Sequence, residues 1–165
     1  MELTDLLVNP FTMIHKNWFL LTAQKGGVVN TMTARWCNIG NVWNLPTAIV
    51  YIRPQRYTRQ FVDGSDQFTL SFFDGDHRRE LEYLGRVSGR DEEKIAKSGL
   101  HLIELGGQPA FAESRYVFVC RKLYRQPLTP DGFLVPEVCE KNYPQKDYHM
   151  MYVGQILHAF GRTDS

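Results

Sequence analysis

The feature that most constrains the fold is a series of strand-like runs between residues 17 and 73, separated by turn signals and by only one helical segment. Asn17 to Gln24 is a β-rich run that ends at Lys25-Gly26-Gly27, a turn signal. Val28 to Trp36 resumes as a second strand and runs into Asn38-Ile39-Gly40-Asn41, which reads as a turn. Pro46 to Ile52 is a short apolar run, the pattern of a mostly buried strand. Pro54 then suits the first turn of a helix, where its fixed φ matches and its missing N–H is not needed. Tyr57 and Phe61, four apart, share a face of that helix, and Asp63-Gly64 stops it. Gln67 to Phe73 alternates Phe68, Leu70 and Phe72 with Thr69 and Ser71, as a half-buried strand does.

Further along, Asp76 is placed to cap a helix through Val87 that carries Leu81, Leu84 and Val87 at helical spacing, and Ser88-Gly89 breaks it. Asp91 can cap a shorter helix through Lys97, ended by Gly99. Tyr116 to Leu123 and Tyr148 to Phe160 read as long strands. Between them, Gln126 to Asp147 holds Pro127, Pro130, Pro136 and Pro144 and reads as an ordered excursion. With no repeat, low-complexity tract or linker, residues 1–165 are expected to form a single domain. Strands do not alternate one-for-one with helices, so the expected class is mainly β, a barrel with short helical insertions, and not a doubly wound parallel sheet.

Composition excludes several functions. A net charge of +1 gives no bulk field for nucleic acid or an anionic membrane. No window holds the roughly 18 uninterrupted apolar residues that a membrane span requires, and Met1 to Asp5 lacks a basic, then apolar, leader pattern. Cys37, Cys120 and Cys139 form an odd set without CxxC or CxxH spacing, which points to buried thiols in a reducing, cytoplasmic setting and away from disulfides or zinc. His15, His77, His101 and His158 have no ligand spacing, so no metal site is expected. No G-x-G-x-x-G or P-loop signature is present.

Two segments can carry chemistry. Arg53 and Arg56 bracket Pro54, with the Thr58 hydroxyl one turn on; an Arg fork at a helix start offers both charge and donors to a phosphate. Two solvated arginines at a helix start remain the alternative. Asn30-Thr31-Met32-Thr33-Ala34 combines small side chains with available backbone amides, and Trp36 or Trp43 can cover a flat ring; the alternative is a strand with surface hydroxyls and core tryptophans. A phosphate and a flat ring together are the parts of a flavin mononucleotide.

Taken in order, Asn30-Thr31-Met32-Thr33 with Trp36, Trp43 and Pro46, then Tyr51-Ile52-Arg53-Pro54-Gln55-Arg56-Tyr57-Thr58, then Phe68-Thr69-Leu70-Ser71-Phe72-Phe73, closely resemble the flavin reductase-like, FMN-binding split-barrel family, nearest its flavoredoxin-like branch. The resemblance extends to the terminal strand His149 to Ile156. It implies a six-stranded Greek-key split barrel, usually a homodimer, with FMN near the dimer interface. It further implies that Asn30, Thr31, Met32 and Thr33, with Trp36 beside them, line the isoalloxazine and ribityl chain. Arg53, Arg56, Tyr57 and Thr58 would surround the phosphate, and Ser71, Phe72 and Phe73 would close the pocket from a neighbouring strand. The family reduces flavins with NADH or NADPH, or passes electrons from bound FMN to a protein or small acceptor. His149 is the candidate side chain for orienting a nicotinamide or donating a proton, against an ordinary hydrogen-bonded histidine. Without a nicotinamide fingerprint in the sequence, a non-catalytic electron carrier or redox sensor reduced by a partner protein stands as the alternative.

Overall fold

The computed structural model describes residues 1–162. In chain order its strands and helices are β1 (Phe19–Lys25), β2 (Val28–Ala34), β3 (Cys37–Val42), β4 (Leu45–Ile52), α1 (Thr58–Asp63), β5 (Gln67–Phe72), α2 (Arg78–Arg86), α3 (Lys94–Ser98), β6 (Leu102–Leu105), β7 (Gln108–Phe111), β8 (Tyr116–Pro127), α4 (Pro136–Asn142) and β9 (Met150–Gly161). Seven strands form one antiparallel sheet in the order β2-β1-β5-β8-β9-β4-β3, and β6-β7 is a separate hairpin. Pairing of β1 with β5 and of β4 with β9 supplies the long-range connections of a Greek key.

One interior collects the inward side chains. Phe19, Leu21 and Ala23 of β1, Met32 of β2, Val50 and Ile52 of β4, Phe68, Leu70 and Phe72 of β5, Phe118 and Cys120 of β8, and Tyr152 and Ile156 of β9 belong to a single buried cluster. Phe72 stands at its centre, its ring 5.3 Å from Phe19 and 5.2 Å from Phe118. Six strands therefore put buried side chains into the barrel interior, as expected of the class. The seventh, β3, packs only partly buried Cys37 and Ile39 against that cluster and extends the β4 edge. Register shifts between Val119 and Cys120 and between Lys122 and Tyr124 add twist to the long β8–β9 pair, which lets it coil around the core. On the outer face, Leu81 and Leu84 of α2 bury against Leu20, Phe73, Leu100 and Phe111, so α2 is pinned over β1 and β2.

The two ends of the sheet, β2 and β3, are joined by Arg35 and Trp36 alone. Three residue steps of at most about 3.6 Å bring Ala34 and Cys37 within roughly 11 Å, so the sheet curls until its edges nearly meet. The gap that remains is the split in the barrel, and the candidate site lies along it.

Several segments differ from the sequence reading. Residues 38–41 are a strand, with Ile39 paired to Ala48; the turn falls at Trp43-Asn44, whose φ values of 55° and 58° match a two-residue hairpin. An edge strand with Asn38, Gly40 and Asn41 facing outward lacks the composition that announces β structure. Pro54 opens a turn closed by Arg56 N to Arg53 O at 3.1 Å, and the regular helix begins only at Thr58. The proline-rich excursion carries α4, with Pro136 in its first turn where the missing N–H costs nothing. Its two ends are tied together, since Pro127 pairs with Met150 and the Leu128 amide donates to the His149 carbonyl at 2.9 Å. The β6-β7 hairpin, turning at Gly106-Gly107, is an addition the sequence did not suggest.

Candidate functional site

Two clefts run along the split and share Met32 and Arg56. The first, about 200 Å³, is walled by four cations: Arg56 from the turn before α1, Arg86 at the end of α2, Arg90 from the segment leading into α3, and Lys94, the first residue of α3. Hydroxyls of Thr58 and Ser88 face the same space, and no carboxylate lines it. The second, about 260 Å³, runs from Met32 and Thr33 past Trp36 to Tyr51, Arg53 and His149.

Local bonding explains why the cations converge. The last carbonyls of α2 carry the negative end of its dipole and have no partner within the helix. Lys94, 4% exposed, donates through Nζ to Leu84 O and Val87 O, both at 2.9 Å, while Arg56 donates through Nη1 to Gly85 O at 2.9 Å. An ammonium has three donors, so Lys94 keeps one for a ligand. Burial, then the nearby Arg56 charge, brings the Lys94 ammonium down to about 8, and burial lowers Arg56 from its ordinary value. The Arg90 guanidinium lies 4.6 Å over the Tyr57 ring. At the floor, Asn30 Nδ2 donates to Thr58 Oγ1 at 2.8 Å, with both residues buried. Gly89 must be glycine for this packing, because a Cβ there would stand 2.2 Å from Asn30 Oδ1.

In the second cleft Trp36 lies with its ring centre 4.7 Å from that of His149. The Tyr143 hydroxyl and His149 Nδ1 are 2.7 Å apart, and burial, then the Arg53 charge, pulls the imidazole down to about 4. His149 is therefore neutral at physiological pH. Arg53 is committed to the excursion: it pairs with Asp147 at 2.8 Å, donates to Asn142 O at 3.0 Å, and stands 5.1 Å over the Tyr143 ring. Hydrogen bonds from Gln55, then from Arg53, hold the Asp147 carboxyl below its usual range.

The structure thus brings together Asn30, Met32, Thr33, Trp36, Arg53, Arg56, Tyr57, Thr58 and His149. It places Thr31, Ser71, Phe72 and Phe73 elsewhere. The Thr31 side chain is fully buried against β1, 2.8 Å from Thr22 Oγ1 and donating to Leu21 O at 3.1 Å. Ser71 is fully buried on β5, which is separated from β2 by β1, while Phe72 and Phe73 belong to the two apolar clusters. Trp43 sits in the β3–β4 turn against Tyr124 and lines neither cleft. Arg86, Ser88, Arg90 and Lys94 escaped the sequence reading, which took Ser88-Gly89 only as a helix breaker. The available signal was a hydroxyl–glycine–cation run, Ser88-Gly89-Arg90, directly after one helix and before the next.

The model of the flavin reductase like domain matches residues 12–164. The chain belongs to that family, and its split barrel is the fold of flavoredoxin and flavin reductase-like structures. Among solved structures it is similar to an FMN-binding domain of a flavin reductases-like enzyme from Shewanella baltica, at 18% identity and TM-score 0.68, covering 92% of this chain and 72% of that one. Flavoredoxin from Methanosarcina acetivorans superposes with TM-score 0.65 at 23% identity, covering 88% and 68% of the two chains. Flavoredoxin of Desulfovibrio vulgaris gives 0.68 at 20% identity, covering 88% and 69%. At these identities the likeness is one of fold. No curated protein matches the chain.

Proposed function

We propose that the chain binds FMN along the split and acts as an NADH- or NADPH-dependent flavin oxidoreductase. The observation that carries this is the cation-walled cleft opening directly into a ring-sized one, joined at Arg56 and Met32. Four positive groups without a lining carboxylate repel one another, and a phosphate dianion relieves that repulsion. The donor set fits a terminal phosphate: guanidinium forks, one free ammonium N–H and two hydroxyls. Met32, Thr33 and Trp36 offer an apolar and lightly polar wall to a flat ring.

Arg56, Arg86, Arg90 and Lys94 hold the phosphate, and Asn30 with Thr58 forms the floor that keeps it in register. Thr33, whose Oγ1 donates to Leu81 O at 2.6 Å, fixes β2 against α2 so that the ring wall does not move. Trp36 and His149 bound the far end, where His149 orients the second substrate as a neutral hydrogen-bonding group. Bound FMN supplies two-electron exchange with the nicotinamide at its ring. Hydride transfer needs no side-chain acid or base, so the chain's contribution is binding, orientation and exclusion of water.

A homodimer with the ring cleft near its interface accords with the exposed apolar side chains Leu7, Leu134, Val135 and Val138. A cytoplasmic location accords with three unpaired cysteines, and among the described residues no helix is long and apolar enough to cross a membrane. Electrons leave to a small acceptor or a partner protein.

Titration of the purified protein with FMN and with riboflavin tests the phosphate site, and FMN should bind at least about tenfold more tightly. Equal affinity would remove the cationic cleft from the function. NADH or NADPH oxidation by the FMN-loaded protein tests turnover; tight FMN binding without oxidation of either nucleotide identifies a carrier instead.

A further inference from the structure

Beyond Trp36 the ring cleft opens into another hollow, about 520 Å³, to which the flavin reading assigns no part of FMN. Phe11, Trp36, Ile39 and Leu128 give it apolar walls, Arg35 and His15 are its basic members, and Cys37 and Tyr51 add a thiol and a phenol. No carboxylate lines it. Arg35, Trp36 and Tyr51 are common to this hollow and the ring cleft, so an occupant of one lies against the contents of the other.

Arg35 is the informative residue. It lies in the two-residue link that closes the barrel and also borders a third hollow beside Trp18. Its guanidinium is 5.4 Å above the Trp18 ring, and among the described residues it forms no salt bridge. An arginine without a carboxylate partner on the wall of an aromatic hollow favours a ligand that brings both a ring and an anionic oxygen pair. A neutral ring gains only the apolar contact, and a cationic one is repelled.

We propose, resting on the flavin reading above, that this hollow is the site of the small electron acceptor and selects planar aromatic monoanions. The carboxylate pairs with Arg35 while Trp36 and Phe11 cover the ring, and the volume suits a molecule of one or two rings. The site thus sorts candidates by charge before they reach the flavin.

Benzoate and its neutral counterpart benzamide are the probes. Each is titrated into FMN-loaded protein, read by flavin absorbance, and into flavin-free protein, read by tryptophan emission, with Trp36→Phe expected to lose the emission response. Benzoate should bind about tenfold more tightly than benzamide. Arg35→Gln should bring that ratio to about one, and Arg35→Lys, which keeps the charge but not the fork, should retain a preference of several-fold. Equal binding of the two probes, an unchanged ratio in Arg35→Gln, or no saturable response to either overturns the proposal; the last is what a second copy covering the hollow would give. Failure of the flavin reading shows separately, as an FMN titration that does not saturate, while the flavin-free titrations still report on the hollow.

Discussion

The Asn30 amide donates to the Thr58 hydroxyl across the floor of the cationic cleft, at 2.8 Å, and joins β2 to the first residue of α1. Gly89 closes over this pair with no room for a side chain. Gly89→Ala should displace Asn30, break the bond and leave two buried polar groups unpaired, destabilising the fold by about 1–3 kcal/mol. Urea unfolding measures it; a midpoint equal to that of the parent would show that Asn30 gives way freely.

Arg56 belongs to both clefts and holds α2 through Gly85 O. Arg56→Ala should weaken FMN binding by about 1.5–3 kcal/mol, the worth of a charge-assisted hydrogen bond, and riboflavin binding by much less. Comparable losses for both ligands would mean that Arg56 supports the ring and not the phosphate.

Lys94 sets a pH dependence with a definite sign. Its ammonium is lowered to about 8, so it is charged below that pH and neutral above it. Phosphate binding favours the charged form, so FMN affinity should fall as pH rises through 8, and Lys94→Met should flatten the profile. Calorimetric titration between pH 7 and pH 9 reads it directly.

Arg53 joins the end of β4 to the excursion through Asp147 and Asn142. Arg53→Ala frees both contacts, and the segment from Leu128 to Tyr148 should become the first site of tryptic cleavage while the barrel persists. A digestion pattern identical to the parent's would show that the other contacts of the excursion suffice.

His149 titrates at about 4 in the folded protein against an ordinary value of 6.5. Between those two values the unfolded chain takes up a proton that the folded protein refuses. Stability should therefore fall by about 1–3 kcal/mol on acidification from pH 6.5 to 4, with no contribution from this group above 6.5. Denaturation across that range should show the slope in the parent and lose it in His149→Gln.

The parts of the fold legible in the sequence were those in which one face is buried. Phe68, Leu70 and Phe72 announce β5 because alternation follows from burial on one side. β3 was hidden because an edge strand buries little, and α4 because none of its residues is buried. In the site, Arg53, Arg56 and Thr58 were visible as a local motif, yet the chain separates their roles: Arg53 turns to Asp147, and Arg56 meets Lys94, thirty-eight residues later in number, at one helix end. No local pattern reports such a meeting. Thr31 lies between Asn30 and Met32 on one strand, where neighbours alternate faces, so its hydroxyl turns to β1 while their side chains turn to the clefts, a distinction the motif alone does not draw.

Because Pro127 is paired with Met150 and Leu128 with His149, the excursion starts and finishes at adjacent rungs of the same ladder. What lies between those rungs can lengthen, shorten or change its chemistry without shifting β8 against β9. The support behind Arg53 and His149 of the ring cleft is thus an interchangeable cassette, replaceable while the barrel that carries it stays as it is.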